Sequence, residues 1–326
     1  MRGGVDLGGT KIQAVVVDDE ARVQGQARRP TPQEGGPPGV ADEIAETLRD
    51  AAKAASVETG DLEGIGIGSP GAIDAAAGTV EHARNLPDWE ASFPLGPTLS
   101  SAVGAPVYLD NDVHVAVNGE FHLGAAKEYS SLLGVWWGTG VGGGIILDGK
   151  PWSGRGAAGE IGHMVVKRGG ARCTCGRRGC LEAYAGRAAM EARARELVEA
   201  GHKTDLFHIM EKHDRTRLQS GIWARALDHG DHMAERLIER AIAALGAGIA
   251  SAINLLDVEA VVIGGGLGTR LGEPYVKRIN EAMQPHLFVP DRPPAVHPAA
   301  LGDLGGAVGA TLLIPERKRK AAKAAS

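Results

Sequence analysis

Aromatic residues are scarce in this chain, at 4% of 326 positions, and the formal net charge is −5. The first shortage leaves little of the stacking surface that holds single-stranded nucleic acid. The second removes any general attraction to phosphate backbones or anionic membranes. Cysteine is almost missing, with three residues. There is no signal-like apolar segment and no run of about 18 apolar residues. These absences predict a cytoplasmic protein without nucleic-acid or membrane partners. The G-x-x-x-x-G-K-[ST] spacing of a Walker loop is absent too, so nucleotide phosphates would have to be held another way. The one basic tract, residues 316–326 (ERKRKAAKAAS), reads as a solvated, disordered tail.

What is abundant is glycine, with 48 residues, which suits tight turns and close approach of backbone to ligand. The length allows two domains or two lobes with ample core. All three cysteines fall within residues 159–182, GEIGHMVVKRGGARCTCGRRGCLE. Thiolates are soft ligands, and a structural zinc site takes four N/S donors in a tetrahedron. Cys173, Cys175, Cys180 and one histidine would close that shell, and His163 is the nearest candidate. Gly169, Gly170, Gly176 and Gly179 would let a short backbone wrap an ion. A disulfide fits less well: the odd count leaves one thiol over, and a single residue between Cys173 and Cys175 makes a strained bridge.

Two apolar runs, 4–7 and 12–17, flank Gly8-Gly9-Thr10-Lys11 and predict a β-hairpin. The pattern returns at Leu132–Trp137 and Val141–Leu147 around Gly138-Thr139-Gly140, a weak internal duplication limited to the hairpins. A helix is predicted over about 40–55, where Val40, Ile44 and Leu48 recur at spacing four. Strands are predicted at 63–68 and 106–109, the second feeding a helix that runs to about residue 123. Helices follow over about 181–200 and 231–256. A strand at 258–263 then delivers Gly264-Gly265-Gly266, and a last helix begins near 302–306. Strands alternating with helices, with glycine turns at strand ends, indicate an α/β fold whose ligands bind at those ends.

The glycine turns offer clustered N–H groups to phosphate oxygens. Asp6, Gly8, Gly9, Thr10 and Lys11 add a carboxylate for Mg²⁺, a hydroxyl and a cation, which makes this turn the most informative, although a plain hairpin turn would look similar. Asp112 follows a strand and opens a helix, where a carboxylate is electrostatically favoured and rigidly aimed; capping alone would also explain it. With Asn111, Glu160, His163 and Glu182 it supplies donors and acceptors for a polyhydroxylated ligand, for which a sugar is the natural occupant. His82, His114, His122 and His286 show no partner pattern.

These segments, DLGGTK at 6–11, GSPG at 68–71, NLPDW at 85–89, DND at 110–112, GTGVGGG at 138–144, GEIGH at 159–163, CTCGRRGCLE at 173–182 and GGG at 264–266, together resemble the ROK family of sugar kinases, repressors and uncharacterised proteins. The match is ordered and runs over essentially the whole chain. GEIGH combined with CxCGxxGCLE is its most specific part. The resemblance implies a two-lobed actin/hexokinase-like (ribonuclease H-like) ATPase fold with an interlobe cleft and a zinc-binding loop. The expected lobes are residues 1–120 and 121–315, with the zinc loop at 163–180 and the C-terminal helix a candidate to pack back on the first lobe.

By the same resemblance Asp6, Gly8, Gly9, Thr10 and Lys11 would hold Mg²⁺ and ATP phosphates, assisted by Gly138, Thr139 and Gly140 and bordered by Gly264, Gly265 and Gly266. Asp112 matches the catalytic base. Gly71, Asn85, Asn111, Glu160, His163 and Glu182 match sugar-binding positions, and His163 also joins Cys173, Cys175 and Cys180 as a structural zinc ligand. Trp136 and Trp137 are bulkier than expected before the second turn. The implied activity is an ATP-dependent hexose kinase, with glucose first among acceptors and a homodimer or homotetramer as the assembly. N-acetylglucosamine, N-acetylmannosamine, mannose, fructose or allose are alternative acceptors, and polyphosphate an alternative donor. A sugar-responsive repressor is disfavoured, since its helix-turn-helix would have to precede the turn at Asp6.

Overall fold

The computed structural model describes residues 1–83 and 85–315; the basic tail of the sequence reading lies outside the described residues. The chain divides into two compact units, Met1–Gly119 together with the chain from Asp303, and Glu120–Gly302.

In the first unit β1 (Arg2–Leu7) and β2 (Lys11–Val17) form the expected hairpin, with Asp6 opposite Gln13 and Leu7 opposite Ile12. β3 (Val23–Pro30) extends it. Its burial alternates weakly, so its sequence carries little apolar signal. α1 (Gly36–Ala54) buries Val40, Ile44 and Leu48. It starts earlier than its apolar stripe because prolines are accommodated in a helix's first turn. β4 (Ile65–Ser69) pairs parallel to β1, a ribbon of β5 (Ala72–Asp74) and β6 (Thr79–Glu81) follows, and α2 (Leu95–Val103) leads to β7 (Val107–Asn111) beside β4. The sheet order is β3-β2-β1-β4-β7. α3 (Asp112–His122) then carries the chain into the second unit.

There β8 (Leu132–Trp137), β9 (Val141–Leu147) and β10 (Lys150–Pro151) precede a helical stretch: α4 (Glu182–Ala185), α5 (Arg187–Glu199), α6 (Leu206–Lys212), α7 (Ser220–Asp228) and α8 (His232–Leu256). β11 (Ala260–Gly264), α9 (Gly265–Leu271), α10 (Glu273–Met283) and β12 (Ala295–Pro298) complete it. The sheet order is β10-β9-β8-β11-β12. Each sheet therefore has two antiparallel pairings followed by two parallel ones, in the same sequence of connections. The duplication seen at the two hairpins thus extends through both sheets. α8, the helix expected over 231–256, is long and apolar enough to cross a membrane by length and composition, but 67% of its most apolar window is buried as the core helix of this unit.

One departure from the expected elements and one close backbone approach position the sites. The helix expected over 181–200 is broken at Gly186, whose extended ψ of 130° separates α4 from α5. The C-terminal helix, α11 (Gly305–Ala310), groups with the first unit. The cause lies in two strand glycines. A Cβ on Gly4 would fall on the Ala307 carbonyl and one on Gly66 on the Ala310 carbonyl, so only glycine lets α11 lie against β1 and β4.

Candidate active site

In the first unit, Gly8 N–H donates to the Lys11 carbonyl at 2.9 Å and closes the hairpin turn, while the Thr31 hydroxyl donates to the Gly8 carbonyl at 2.6 Å. Thr10 is exposed at the tip. Lys11 Nζ donates to Gln13 Oε1 at 2.9 Å, an anchor with no local sequence signal. Gly9 faces Asn85, whose carbonyl leaves no room for a Cβ there, and Gly71, at φ 101°, is held against Glu81 and Ala83.

Asp112 opens α3, but the cap is Asn111: its Oδ1 accepts N–H bonds from Val113 at 2.9 Å and His114 at 3.3 Å. Asp110 in turn accepts the Asn111 N–H at 2.7 Å and contacts His114 Nδ1 at 3.3 Å, so His114 has a partner that its sequence did not suggest. Gly68 makes this start possible, because a Cβ there would press on Val115 and on the Asp112 backbone. The Asp112 carboxyl is pushed up to about 6, first by burial and then by the neighbouring charge of Asp6, against a relieving N–H bond from Val113. Asp6 is itself raised by burial, with Lys11 opposing. The first unit thus brings Asp6 and Asp112, 106 positions apart in the sequence, into one electrostatic pair.

In the second unit, Gly138 N–H donates to the Gly140 carbonyl at 3.0 Å, closing the second hairpin turn. The break at Gly186 aims the start of α5 at this turn: Arg187 N–H donates to the Gly138 carbonyl at 3.1 Å and Ala188 N–H to Thr139 at 3.0 Å. Arg187 Nη2 also donates to Thr139 Oγ1 at 2.7 Å. Arg187 went unnoticed in the sequence because nothing local marks it. Gly264, Gly265 and Gly266 join β11 to α9; Gly265, at φ 80°, packs directly on the Trp137 backbone, and Gly266 adjoins Gly138. Trp137 is a core residue whose Nε1 donates to the Ala185 carbonyl at 2.7 Å, and Trp136 packs on Gly264.

The segment bearing Glu160 and His163 lies along β9, where Gly159 faces Gly143 and Gly162 faces Val141. Glu160 Oε2 is 3.9 Å from His163 Nε2. His163, Cys173, Cys175 and Cys180 converge, with all four candidate ligand atoms within 4.8 Å of one another. Cys175 and Cys180 sulfurs are 3.7 Å apart, and Cys173 Sγ is 3.8 Å from His163 Nδ1. A tetrahedron with zinc–sulfur bonds of about 2.3 Å has sulfur–sulfur edges of about 3.8 Å, so these donors fit a four-coordinate zinc and are too far apart for disulfides. N–H and guanidinium bonds from Arg177 pull the Cys175 thiol down to about 6, whereas burial pushes Cys180 up to about 11.

Glu182 connects this cluster to the turn: Oε2 accepts the Val141 N–H at 3.0 Å, and Oε1 stands 4.0 Å from Cys173 Sγ. The absence of a Cβ at Gly140 leaves room for Glu182 Oε2, which a larger residue there would displace.

A repeated sheet with glycine turns at equivalent hairpins, one beside an aspartate pair and the other beside a His/Cys cluster, defines a hexokinase-like α/β protein. The ROK family profile matches residues 2–317, and the chain belongs to the ROK family. It is 34% identical over 322 residues to a glucokinase of Thermotoga maritima, covering 96% of this chain and 97% of that protein. It is 30% identical to an N-acetyl-D-glucosamine kinase of Escherichia coli, with 95% and 98% coverage. Among solved structures, a ROK family glucokinase from Streptomyces griseus in complex with glucose and AMPPNP superimposes with a TM-score of 0.81 at 33% identity, covering 96% and 98% of the two chains.

Proposed function

We propose that this protein is an ATP-dependent hexose kinase that converts glucose to glucose 6-phosphate. The observation that carries the reading is Asp112, a carboxyl raised to about 6 at the start of a helix beside Asp6. Phosphoryl transfer passes through a loose transition state, so positioning and charge neutralisation matter more than base strength. At neutral pH Asp112 is mostly ionised, and it orients the acceptor hydroxyl and takes its proton late in the transfer. Asn111, whose Oδ1 caps α3, keeps its amide N–H groups for a sugar hydroxyl. Glu160, His163 and Glu182 hold further hydroxyls, and Gly71 and Asn85 are assigned to the sugar as well. Gly8, Gly9, Thr10, Lys11, Gly138, Thr139, Gly140 and the glycines at 264–266 receive the nucleotide.

Asp6 would hold Mg²⁺, which when bound neutralises phosphate charge. His163, Cys173, Cys175 and Cys180 would hold zinc, which fixes the loop and, with four protein ligands, leaves no position for activating water. Free thiols accord with a reducing compartment, and we place the enzyme in the cytoplasm as a homo-oligomer.

The glucokinase relative supports glucose, and the N-acetylglucosamine kinase relative, only 4 percentage points less identical (34% against 30%), supports a second reading as an N-acetylhexosamine kinase. Sites built to hydrogen-bond a hydroxyl discriminate strongly, so a coupled assay over both sugars, mannose, fructose and allose is decisive. Glucose with ATP should give the highest kcat/KM. A higher value for N-acetylglucosamine would transfer the assignment to that sugar, and a higher value with polyphosphate would change the donor.

A further inference from the structure

Away from the residues above, the second unit holds a cavity of about 160 Å³ between α5 and the first turns of α8. Its polar lining is entirely basic. Arg193 comes from α5, His202 and Lys203 from the loop that follows, and His232, Arg236 and Arg240 from α8; no carboxylate lines it. Nearby acids are already engaged, Glu196 with Arg193 at 2.7 Å and Glu235 with His232 at 3.2 Å. Other cations nearby have partners, Arg195 with Glu191 on α5 and Arg278 of α10 with Glu239 of α8. Among the described residues, Lys203 and Arg236 have none. The N-terminus of the 25-residue α8 lies beside them with its first turn already capped by the Asp231 carboxylate, so the potential comes from the side chains. Converging cations of one sign repel unless an anion neutralises them, and arginine forks match phosphate oxygens.

The cavity is tied to the zinc loop. The Arg240 guanidinium lies over the Tyr184 ring at 5.5 Å, and the Tyr184 hydroxyl accepts the Ala171 N–H at 2.8 Å. Ala171 is two residues before Cys173, and Tyr184 shares α4 with Glu182. We propose that this cavity binds a phosphate-bearing anion, free phosphate or a phosphate monoester, and that Arg240 and Tyr184 transmit its occupancy to the loop carrying His163 and Glu182. The transmitted effect on sugar affinity rests on the kinase reading above; the binding itself does not.

The test is calorimetric titration of the full chain, saturated with AMPPNP so that the nucleotide turns are filled, using inorganic phosphate and, separately, glycerol 3-phosphate. The Lys203→Gln/Arg236→Gln variant should bind both probes at least tenfold more weakly, and the charge reversal Lys203→Glu alone should give a comparable loss. These side chains are exposed, so the fold is retained. Tighter binding of glycerol 3-phosphate would assign the monoester as the ligand, and equal binding free phosphate. Equal affinity in wild type and both variants would overturn the site whether or not the protein phosphorylates sugar. For the coupling, phosphate should change the sugar KM of the wild type at least threefold. Tyr184→Phe should keep phosphate binding and lose that response; no response in the wild type would overturn the coupling.

Discussion

Asp112 sits where function and stability oppose each other. Its carboxyl titrates near 6 because burial and the charge of Asp6 both disfavour the ionised form. Below that value it is protonated and cannot accept the hydroxyl proton, so kcat/KM should fall about tenfold per pH unit on the acid side of 6. A flat profile from pH 7 to pH 5 would remove Asp112 as the base. Asp112→Asn should lower kcat by about 10²–10⁴-fold while leaving the equilibrium affinity for sugar unchanged, as turnover and calorimetry would check.

The same shift predicts stability. With the folded value raised from 3.8 to about 6, the favourable contribution is complete below 3.8 and is lost as the pH rises through 6. The Asn variant should therefore be more stable by about 1–3 kcal/mol at pH 8, with a smaller gain at pH 5. Equal thermal midpoints at both pH values would contradict this.

The proposed zinc loop and α11 would be held by opposite means. Structural zinc contributes on the order of 10–16 kcal/mol in small peptides, comparable to the roughly 5–15 kcal/mol that stabilises a domain, so even part of it can fix one loop. Cys173 adjoins Glu182, and on the proposed assignment His163 serves both zinc and sugar, so a Cys175→Ser protein should lose zinc and show a sugar KM raised about tenfold before global unfolding. A zinc-free variant with unchanged KM would break the link. α11 depends on shape alone. Gly66→Ala would drive a Cβ onto the Ala310 carbonyl and should cost about 1–3 kcal/mol or detach the helix, as melting and limited proteolysis would show. The two hairpins, α8 and the Cys/His cluster were legible in the sequence because their signals are local: apolar runs around a turn, a helical stripe, ligands within 18 positions (163 to 180). β3 and the break at Gly186 were not, since weak alternation and a single glycine acquire meaning only from what packs on them.

Across the whole molecule the same strand plan is used twice, and each unit buries its own apolar cluster, one around Val5, Ile44 and Ile67 and the other around Trp137, Leu245 and Val261. Separate cores should melt with incomplete cooperativity, so scanning calorimetry should give a calorimetric enthalpy larger than the van't Hoff enthalpy, and equality would show one cooperative unit. The sequence by itself determined the α/β class, the glycine turns, the candidate metal ligands and the candidate base, because each is written in residues close together along the chain. Only the tertiary structure decided that Asp6 faces Asp112, that Glu182 binds the N–H of Val141, that α11 returns to the first sheet and that Arg240 rests on Tyr184. These pairings join residues tens to hundreds of positions apart. They are set by which backbones can approach and which charges are desolvated together, and neither can be read from a linear spacing.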